Sequence, residues 1–393
     1  MAAIADLDLG PAANAFRAEV RAFLDRNWIG RTARTAPVGS EHGFDRGFSR
    51  KLAARGWLGI SWPKRWGGQE RSALEQLAFV EEMEYWRAPV RAHTMAVSIV
   101  GPALMAHGSD AQRDRFLPAI LRGDLAFCLG YSEPDAGSDL ASLRTRARRD
   151  DEGWVVDCAK LYTTMAELAD YCWLAVRTDP GAPKWKGISI LLVPLPAPGI
   201  TVRPLAALNG GRTNAVFFDS VRVPADALVG PENGGWSIIT EALAFERVML
   251  GGKVARVRRE LDELIAHLAS SSADTGRLAD DPVVRDRIGG LAADLEAARV
   301  LALRCVLELE RGRVPHHEAA MAKVFCGELE ERLAETALEL LGPGSGLSRE
   351  APEAELDGLF EHVVRASILD VIGGGTNDIQ RTLIAVRGLG LPR

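Results

Sequence analysis

The chain has 393 residues, 47% apolar and 25% charged, with a net charge of -6. That is enough for two or three domains or one large enzyme with a sizeable core, and the acidic balance argues against a nucleic-acid partner, which would want a basic face. Five cysteines at 128, 158, 172, 305 and 326 show no CxxC spacing, so neither a disulfide framework nor a zinc knuckle is expected and a reducing compartment, the cytoplasm, is.

Residues 1 to 10 carry acids where a signal peptide needs positive charge, and no apolar run reaches the length of a membrane span. From about 11 to 122 the pattern is helical: Phe16, Val20, Phe23 and Leu24 recur at three- and four-residue spacing, as do Leu74, Leu77, Ala78 and Glu81. Gly59-Ile-Ser-Trp-Pro-Lys-Arg-Trp-Gly-Gly68 interrupts it as a loop whose two tryptophans want burial. Between about 123 and 231 the runs shorten and turn β-rich. Trp154-Val-Val156, Tyr171-Cys-Trp-Leu-Ala-Val176, Gly187-Ile-Ser-Ile-Leu-Leu-Val193 and Ala215-Val-Phe-Phe218 have strand length with no helix-length pattern between them, which predicts an antiparallel sheet. The run Arg144-Thr-Arg-Ala-Arg-Arg149 reads as the wet face of a strand. After Asn233-Gly-Gly235 four long helices are predicted, near 236 to 270, 282 to 311, 315 to 341 and 353 to 371, with a short one after Gly375. The expected architecture is α+β and multidomain: a helical domain over 1 to 122, an antiparallel β domain over 123 to 231, and a helical bundle over 232 to 393.

The most informative loop is Tyr131-Ser-Glu-Pro-Asp-Ala-Gly-Ser-Asp139, which leaves the strand-like run Leu125-Ala-Phe-Cys-Leu-Gly130. Ser132 stands where a strand end can aim a hydroxyl and a backbone N–H at a flat polar ligand. Pro134 stops the ladder, and Gly137 is read as a backbone conformation closed to residues with a Cβ. The same residues also make ordinary turns, so the loop gains meaning from its company: Leu161-Tyr-Thr-Thr164, Phe218-Asp-Ser-Val-Arg-Val-Pro224 and Gly373-Gly-Gly-Thr-Asn-Asp-Ile-Gln-Arg381.

With these stretches in this order, and Trp62-Pro-Lys-x-x-Gly-Gly68 before them, the chain resembles the acyl-CoA dehydrogenase flavoproteins over essentially its whole length. The resemblance implies FAD at the edge of the β domain and a thioester between flavin and C-terminal helices. It places Leu129, Tyr131, Ser132, Gly137, Ser138, Tyr162, Thr164 and Thr376 at the cofactor, and Ser138, Arg247 and Gly374 at the acyl-CoA substrate. Thr164 would hydrogen-bond near the flavin N5, and Tyr162 would wall the isoalloxazine where the family usually has Trp.

The chemistry implied is removal of the α-proton by a carboxylate as the β-hydrogen leaves as hydride to the flavin, which needs a desolvated base of raised pKa. Many members carry that Glu just before the Gly-Thr of the C-terminal motif, where this chain has Gly374. A subset places it on the first helix of the last domain, immediately before an Arg, and Glu246-Arg247 matches. Glu246 also interrupts an apolar stretch running from Ile238 to Leu250, although a buried Glu–Arg pair that merely satisfies itself would read the same way.

Members that assemble from identical chains lend an Arg, an aromatic and a Gln to the neighbour's FAD. Here the corresponding segment reads Ser270-Ser-Ser-Ala-Asp-Thr-Gly-Arg277, then Asp280-Asp-Pro282, and acids would repel a pyrophosphate. The expectation is an FAD-dependent acyl-CoA dehydrogenase that passes electrons to an electron-transfer flavoprotein and works with a homologous partner subunit, as an α2β2 tetramer, a homo-oligomer being the alternative. Its rivals are a same-fold enzyme acting on carrier-protein thioesters or nitroalkanes, and a non-catalytic subunit completing another chain's flavin site. No metal site is expected: His316-His317 lacks a second cluster at ligand spacing and reads as a helix-start surface pair. Gly342-Pro-Gly-Ser-Gly346 lacks the context of a dinucleotide fingerprint, and no GxSxG occurs.

Overall fold

A computed structural model describes residues 5–28, 45–245, 249–270, 272–273 and 276–392. In chain order its α-helices are α1 (Pro11–Asn27), α2 (Arg46–Ala53), α3 (Ala73–Tyr85), α4 (Arg91–Met95), α5 (Gly101–His107), α6 (Asp110–Leu121), α7 (Gly235–Phe245), α8 (Met249–Ser270), α9 (Pro282–Glu310), α10 (His316–Leu341), α11 (Leu359–Ile372) and α12 (Asn377–Leu383). The main strands are β1 (Phe127–Gly130), β2 (Arg146–Asp150), β3 (Gly153–Lys160), β4 (Tyr171–Arg177), β5 (Ile188–Pro194), β6 (Ile200–Ala206), β7 (Arg212–Pro224) and β8 (Leu228–Val229). Helical, β and helical regions follow one another as the sequence pattern predicts. Packing divides them into two compact units: α2, α4–α7 and the sheet form one, while α1 and α3 join α8–α12 in the other.

In the first unit the sheet runs β6-β7-β3-β2-β4-β5-β8, with β1 paired to β4. It is antiparallel except where β1 and β2 lie parallel to β4. β4 and β5 are buried almost throughout, which is why they read as continuous apolar runs: Trp173, Ala175 and Leu192 face the core shared with Phe116, Ile99 and Ile238, whereas Cys172, Leu174 and Val176 face Trp154, Val216 and Phe218. β2 alternates as expected, with Ala147 buried between exposed arginines. In the loop before α3, Trp62 is buried and donates through Nε1 to the Val97 carbonyl at 2.9 Å.

In the second unit α8, α9, α10 and α11 enclose one core through Val257, Leu261, Leu264 and Leu268, Ile288, Leu291 and Leu295, Leu329 and Leu333, and Phe360 and Val363. The three- and four-residue spacing of these positions is the helical period seen in the sequence. α8 lies close on α3 because Gly251 and Gly252 leave room: a β-carbon there would come within 2.1 Å of Leu77 and 2.6 Å of Val80. The fourth predicted helix starts later than expected. Leu356 and Asp357 take left-handed backbone (φ 52° and 55°) in a short 3-10 turn over Glu355–Gly358, so α11 begins only at Leu359.

An ionic cluster runs between α8, α10 and α11. Arg256 meets Asp370 at 2.7 Å and Glu330 at 3.3 Å, and Lys253 meets Asp370 at 3.3 Å. Burial opposes charge on Asp370, but Arg256 and Lys253 prevail and hold its carboxyl well below the ordinary range. Burial pushes Glu330 up, and Glu260, one turn along α8 with Oε2 unpartnered, up to about 7. A carboxyl whose folded pKa is raised favours folding at low pH, and that advantage is lost as pH rises from about 4.5 through about 7. Glu260→Gln is therefore expected to stabilise the protein increasingly between pH 5 and pH 8, by about 1–3 kcal/mol at the upper end. Urea unfolding at the two pH values checks this, and a pH-independent effect contradicts it.

Candidate functional site

β1 ends at Gly130, and the chain turns outward through Tyr131 and Ser132. The turn closes on itself by paired backbone hydrogen bonds between Glu133 and Ala136. Tyr131 is half-buried, its hydroxyl accepting from Trp173 Nε1 at 3.1 Å. β3 ends beside it: Leu161 N–H donates to the Ser132 carbonyl at 2.9 Å. From there Tyr162 takes left-handed backbone (φ 57°) and stands 67% exposed. A non-glycine residue in that region costs of order 1 kcal/mol and persists only where neighbours over-determine it. Here Thr163 N–H donates to the Asn214 carbonyl, Asn214 Nδ2 returns a bond to the Thr163 carbonyl at 3.1 Å, and Thr164 N–H reaches the Tyr162 carbonyl. Thr164 is exposed, with its hydroxyl 3.1 Å from that of Thr213.

Beneath this surface lies a buried ion pair. Lys160, with no exposed side-chain surface, donates through Nζ to Glu133 Oε1 at 2.8 Å and to the Tyr131 carbonyl at 3.0 Å. Glu133 also accepts from the backbone of Arg144 (2.7 Å) and Thr145 (3.0 Å) and from the Thr145 hydroxyl. Burial alone would raise its pKa, but Lys160 and these donors outweigh it and keep the carboxyl below the usual range. Sequence reasoning missed Lys160, Glu133 and Thr145. A signal existed: Lys160 continues the alternating series Trp154, Val156, Cys158 on the buried face of β3, and a cation there demands a counter-charge.

Ser138 and Gly137 are exposed on the same loop, and Asp139 is held by Lys184 at 2.7 Å. The reading of Gly137 is corrected: its backbone is not left-handed, and a β-carbon there would meet nothing within 4 Å. Left-handed backbone is used instead at Tyr162 and Met165. Leu129, on β1, packs against the apolar core beside Phe127 and Trp173, and only part of its side chain is exposed.

The remaining predicted residues do not share this unit. Gly374 and Gly375 take φ of 64° and 84° after α11, and Thr376 caps α12 by accepting from Ile379 N–H at 3.3 Å. Lys323 holds both ends of that turn, bonding the Val371 carbonyl at 3.2 Å and Asn377 Oδ1 at 2.7 Å. Glu246 and Arg247 lie outside the described residues, as does Asp274. Asp280 is exposed, but Asp281 caps α9 by accepting from Val283 N–H at 2.7 Å, so its charge is engaged at a helix N-terminus. None of the five cysteines is in a disulfide, and burial pushes Cys158 and Cys326 up to about 12, the mark of unreactive thiols. His316 and His317 open α10, as expected of a helix-start pair.

Known proteins point the same way. The family profiles described as the N-terminal, middle and C-terminal domains of acyl-CoA dehydrogenase match residues 10–124, 128–221 and 233–389. "Acyl-CoA dehydrogenase FadE26" of Mycobacterium tuberculosis is 40% identical over 354 residues, 87% of each chain. Among solved structures, "Tcur3481-Tcur3483 steroid ACAD" is similar at a TM-score of 0.90 and 37% identity, over 98% of this chain and 100% of that one. The ChsE4-ChsE5 complex from M. tuberculosis is similar at a TM-score of 0.89 and 36% identity, over 99% and 100%. The chain belongs to the acyl-CoA dehydrogenase family. It is accordingly an FAD flavoprotein and an oxidoreductase acting on acyl-CoA. The surface fits that cofactor: an exposed aromatic at a strained turn, an exposed hydroxyl beside it, a half-buried tyrosine at the neighbouring strand end, and open space above Gly137 suit a flat polar ring and its tail.

Proposed function

We propose that the chain α,β-desaturates an acyl-CoA thioester, with Glu246 as base and electrons passed on to an electron-transfer flavoprotein. The observation that carries the reading is the exposed Tyr162–Thr164 turn set beside Tyr131 and Ser132 at the ends of two adjacent segments of one sheet. When bound there, FAD supplies the acceptor for the β-hydride. Tyr162 walls the ring, Thr164 donates to its edge, and Ser132 and Tyr131 meet its polar side. Gly137 and Ser138 leave room for the extended parts of cofactor and substrate, and Leu129 backs them from the core. By the resemblance, Thr376 is assigned to the cofactor and Gly374 and Arg247 to the thioester. Glu246 would take the α-proton; in sequence it interrupts the apolar run from Ile238 to Leu250. The experiment is anaerobic mixing of the flavin-loaded protein with a panel of acyl-CoA thioesters. Bleaching with formation of the 2-enoyl thioester supports desaturation; no bleaching by any of them contradicts it.

The acyl group we assign to this site is a bulky one, such as a steroid side-chain thioester, supported by 37% identity to a protein described as a steroid ACAD. A related but distinct partner subunit is supported by two similar structures titled as pairs of named chains. Asp280 adds a charge argument, because an exposed acid where identical-chain relatives offer a cation costs affinity for a dianionic pyrophosphate. Expressed alone, the protein is expected to be colourless and to take up FAD only with its companion. A yellow, fully flavinated assembly of this chain alone contradicts the two-subunit reading.

A further inference from the structure

We propose that Lys160 is a positioning residue for the flavin, joining the two segments that form its wall. One of them, Tyr131 to Asp139, leaves β1; the other, Leu161 to Thr164, leaves β3. Three bonds tie the end of β3 to the first segment: Leu161 N–H to the Ser132 carbonyl, and Lys160 Nζ to the Tyr131 carbonyl and to Glu133 Oε1. Lys160 therefore sits on the strand that carries Tyr162 and Thr164 while its ammonium fixes the residue that starts the opposite segment. The same ammonium neutralises Glu133, whose carboxylate gathers the backbone of Arg144 and Thr145 where the chain returns beyond the 131–139 loop. One buried cation thus sets the start of the loop, its return and its spacing from the Tyr162 turn.

A fully buried ammonium is expensive unless paired. A pair that served stability alone would need only Glu133. The second contact, to the Tyr131 carbonyl at 3.0 Å, spends a donor on the backbone of a residue facing the cofactor. The neighbouring Tyr162 turn is strained and its aromatic side chain exposed; its backbone is tied to Asn214, and its spacing from the Tyr131 segment rests on the Leu161 and Lys160 bonds. Losing the ammonium would let the two segments drift apart, and a flat ring that must touch both would lose one side.

The inference rests on the reading that Tyr131, Ser132, Tyr162 and Thr164 face FAD. Its test uses the whole protein, with its companion chain where FAD uptake needs it, and three readouts: FAD dissociation constant, flavin visible spectrum and Tm. Lys160→Met is expected to lower Tm and to weaken FAD by about 10- to 100-fold, the effect of one lost charge-assisted hydrogen bond. Lys160→Met/Glu133→Gln removes the unpaired buried carboxylate, so Tm should recover substantially. FAD affinity and the perturbed spectrum should not, because the Lys160 donor to the Tyr131 carbonyl is still missing. Recovery of FAD affinity in step with Tm would overturn the proposal and leave Lys160 a structural residue. Tyr162→Ala separates the two levels: weakened FAD with normal Tm upholds the wall, whereas unchanged FAD affinity overturns the wall and the proposal together. Should Lys160→Met fail to fold, the double variant carries the same comparison, with retained wild-type FAD affinity overturning it.

Discussion

Glu246→Gln is expected to leave FAD bound and to slow anaerobic flavin reduction by an acyl-CoA about 10²- to 10⁴-fold. Glutamine keeps the size and hydrogen-bonding shape of the side chain and removes only its ability to take a proton. Glu246 is proposed as the base because the family resemblance places one immediately before an Arg in this segment, and its sequence context agrees. From Ile238 to Leu250 the chain is largely apolar, and a carboxylate there pairs with the adjacent Arg247 or does chemistry. At the alternative position relatives use, this chain has Gly374, which has no proton acceptor. A loss of about 3–5 kcal/mol of transition-state stabilisation corresponds to the expected range. Reduction at near the original rate would show that Glu246 is a structural partner of Arg247. Gly374→Glu in the Glu246→Gln background is a demanding rescue, because φ 64° at Gly374 strains any side chain.

Arg256→Leu is expected to cost about 3–5 kcal/mol of stability, the usual penalty for removing one partner of a buried ion pair. Arg256 is the main counter-charge to Asp370 and Glu330, and without it Lys253, at 3.3 and 3.9 Å, is left as the ion-pair partner of two carboxyls among the described residues. The pH dependence has a definite sign. Because Asp370 is held below its ordinary pKa, its pairing contributes stability above about pH 4 that is lost on acidification. In Arg256→Leu that acid sensitivity should shrink, and Arg256→Leu/Asp370→Asn should regain part of the loss. Urea unfolding measures both; a cost under about 1 kcal/mol would mean that the cluster is already neutralised by shared protons.

Much of this could be read from sequence because it is periodic or local. The β4 and β5 runs, the helical spacing of α8–α10 and the turn residues around Tyr131 each declare themselves within a few positions. What stayed hidden depends on distant partners. The spacing along β3 puts Lys160 on the buried face, but its partners, Glu133 and the Tyr131 carbonyl, belong to a different segment that the spacing does not reveal. Asp281 looks like a stray acid until Val283 offers an N–H, and the left-handed pair Leu356–Asp357 interrupts a segment whose composition favours helix. Gly137 shows the opposite failure: the residue type suggested a special backbone, while the structure shows an ordinary one with empty space above it. The joining of α1 and α3 to α8–α12 in one unit rests on close approach at Gly251 and Gly252, which no periodicity in α3 announces.

The most direct test of desaturation by this chain is a single anaerobic turnover of the flavin-loaded protein, purified with its companion where needed, against a bulky acyl-CoA thioester. Flavin absorbance and the thioester product are followed together in the wild type and in Glu246→Gln. The expected result is bleaching in the wild type with one equivalent of 2-enoyl thioester per flavin, and a flavin that stays oxidised in Glu246→Gln. A wild-type flavin that no acyl-CoA bleaches, or a Glu246→Gln protein that bleaches as fast, would contradict it.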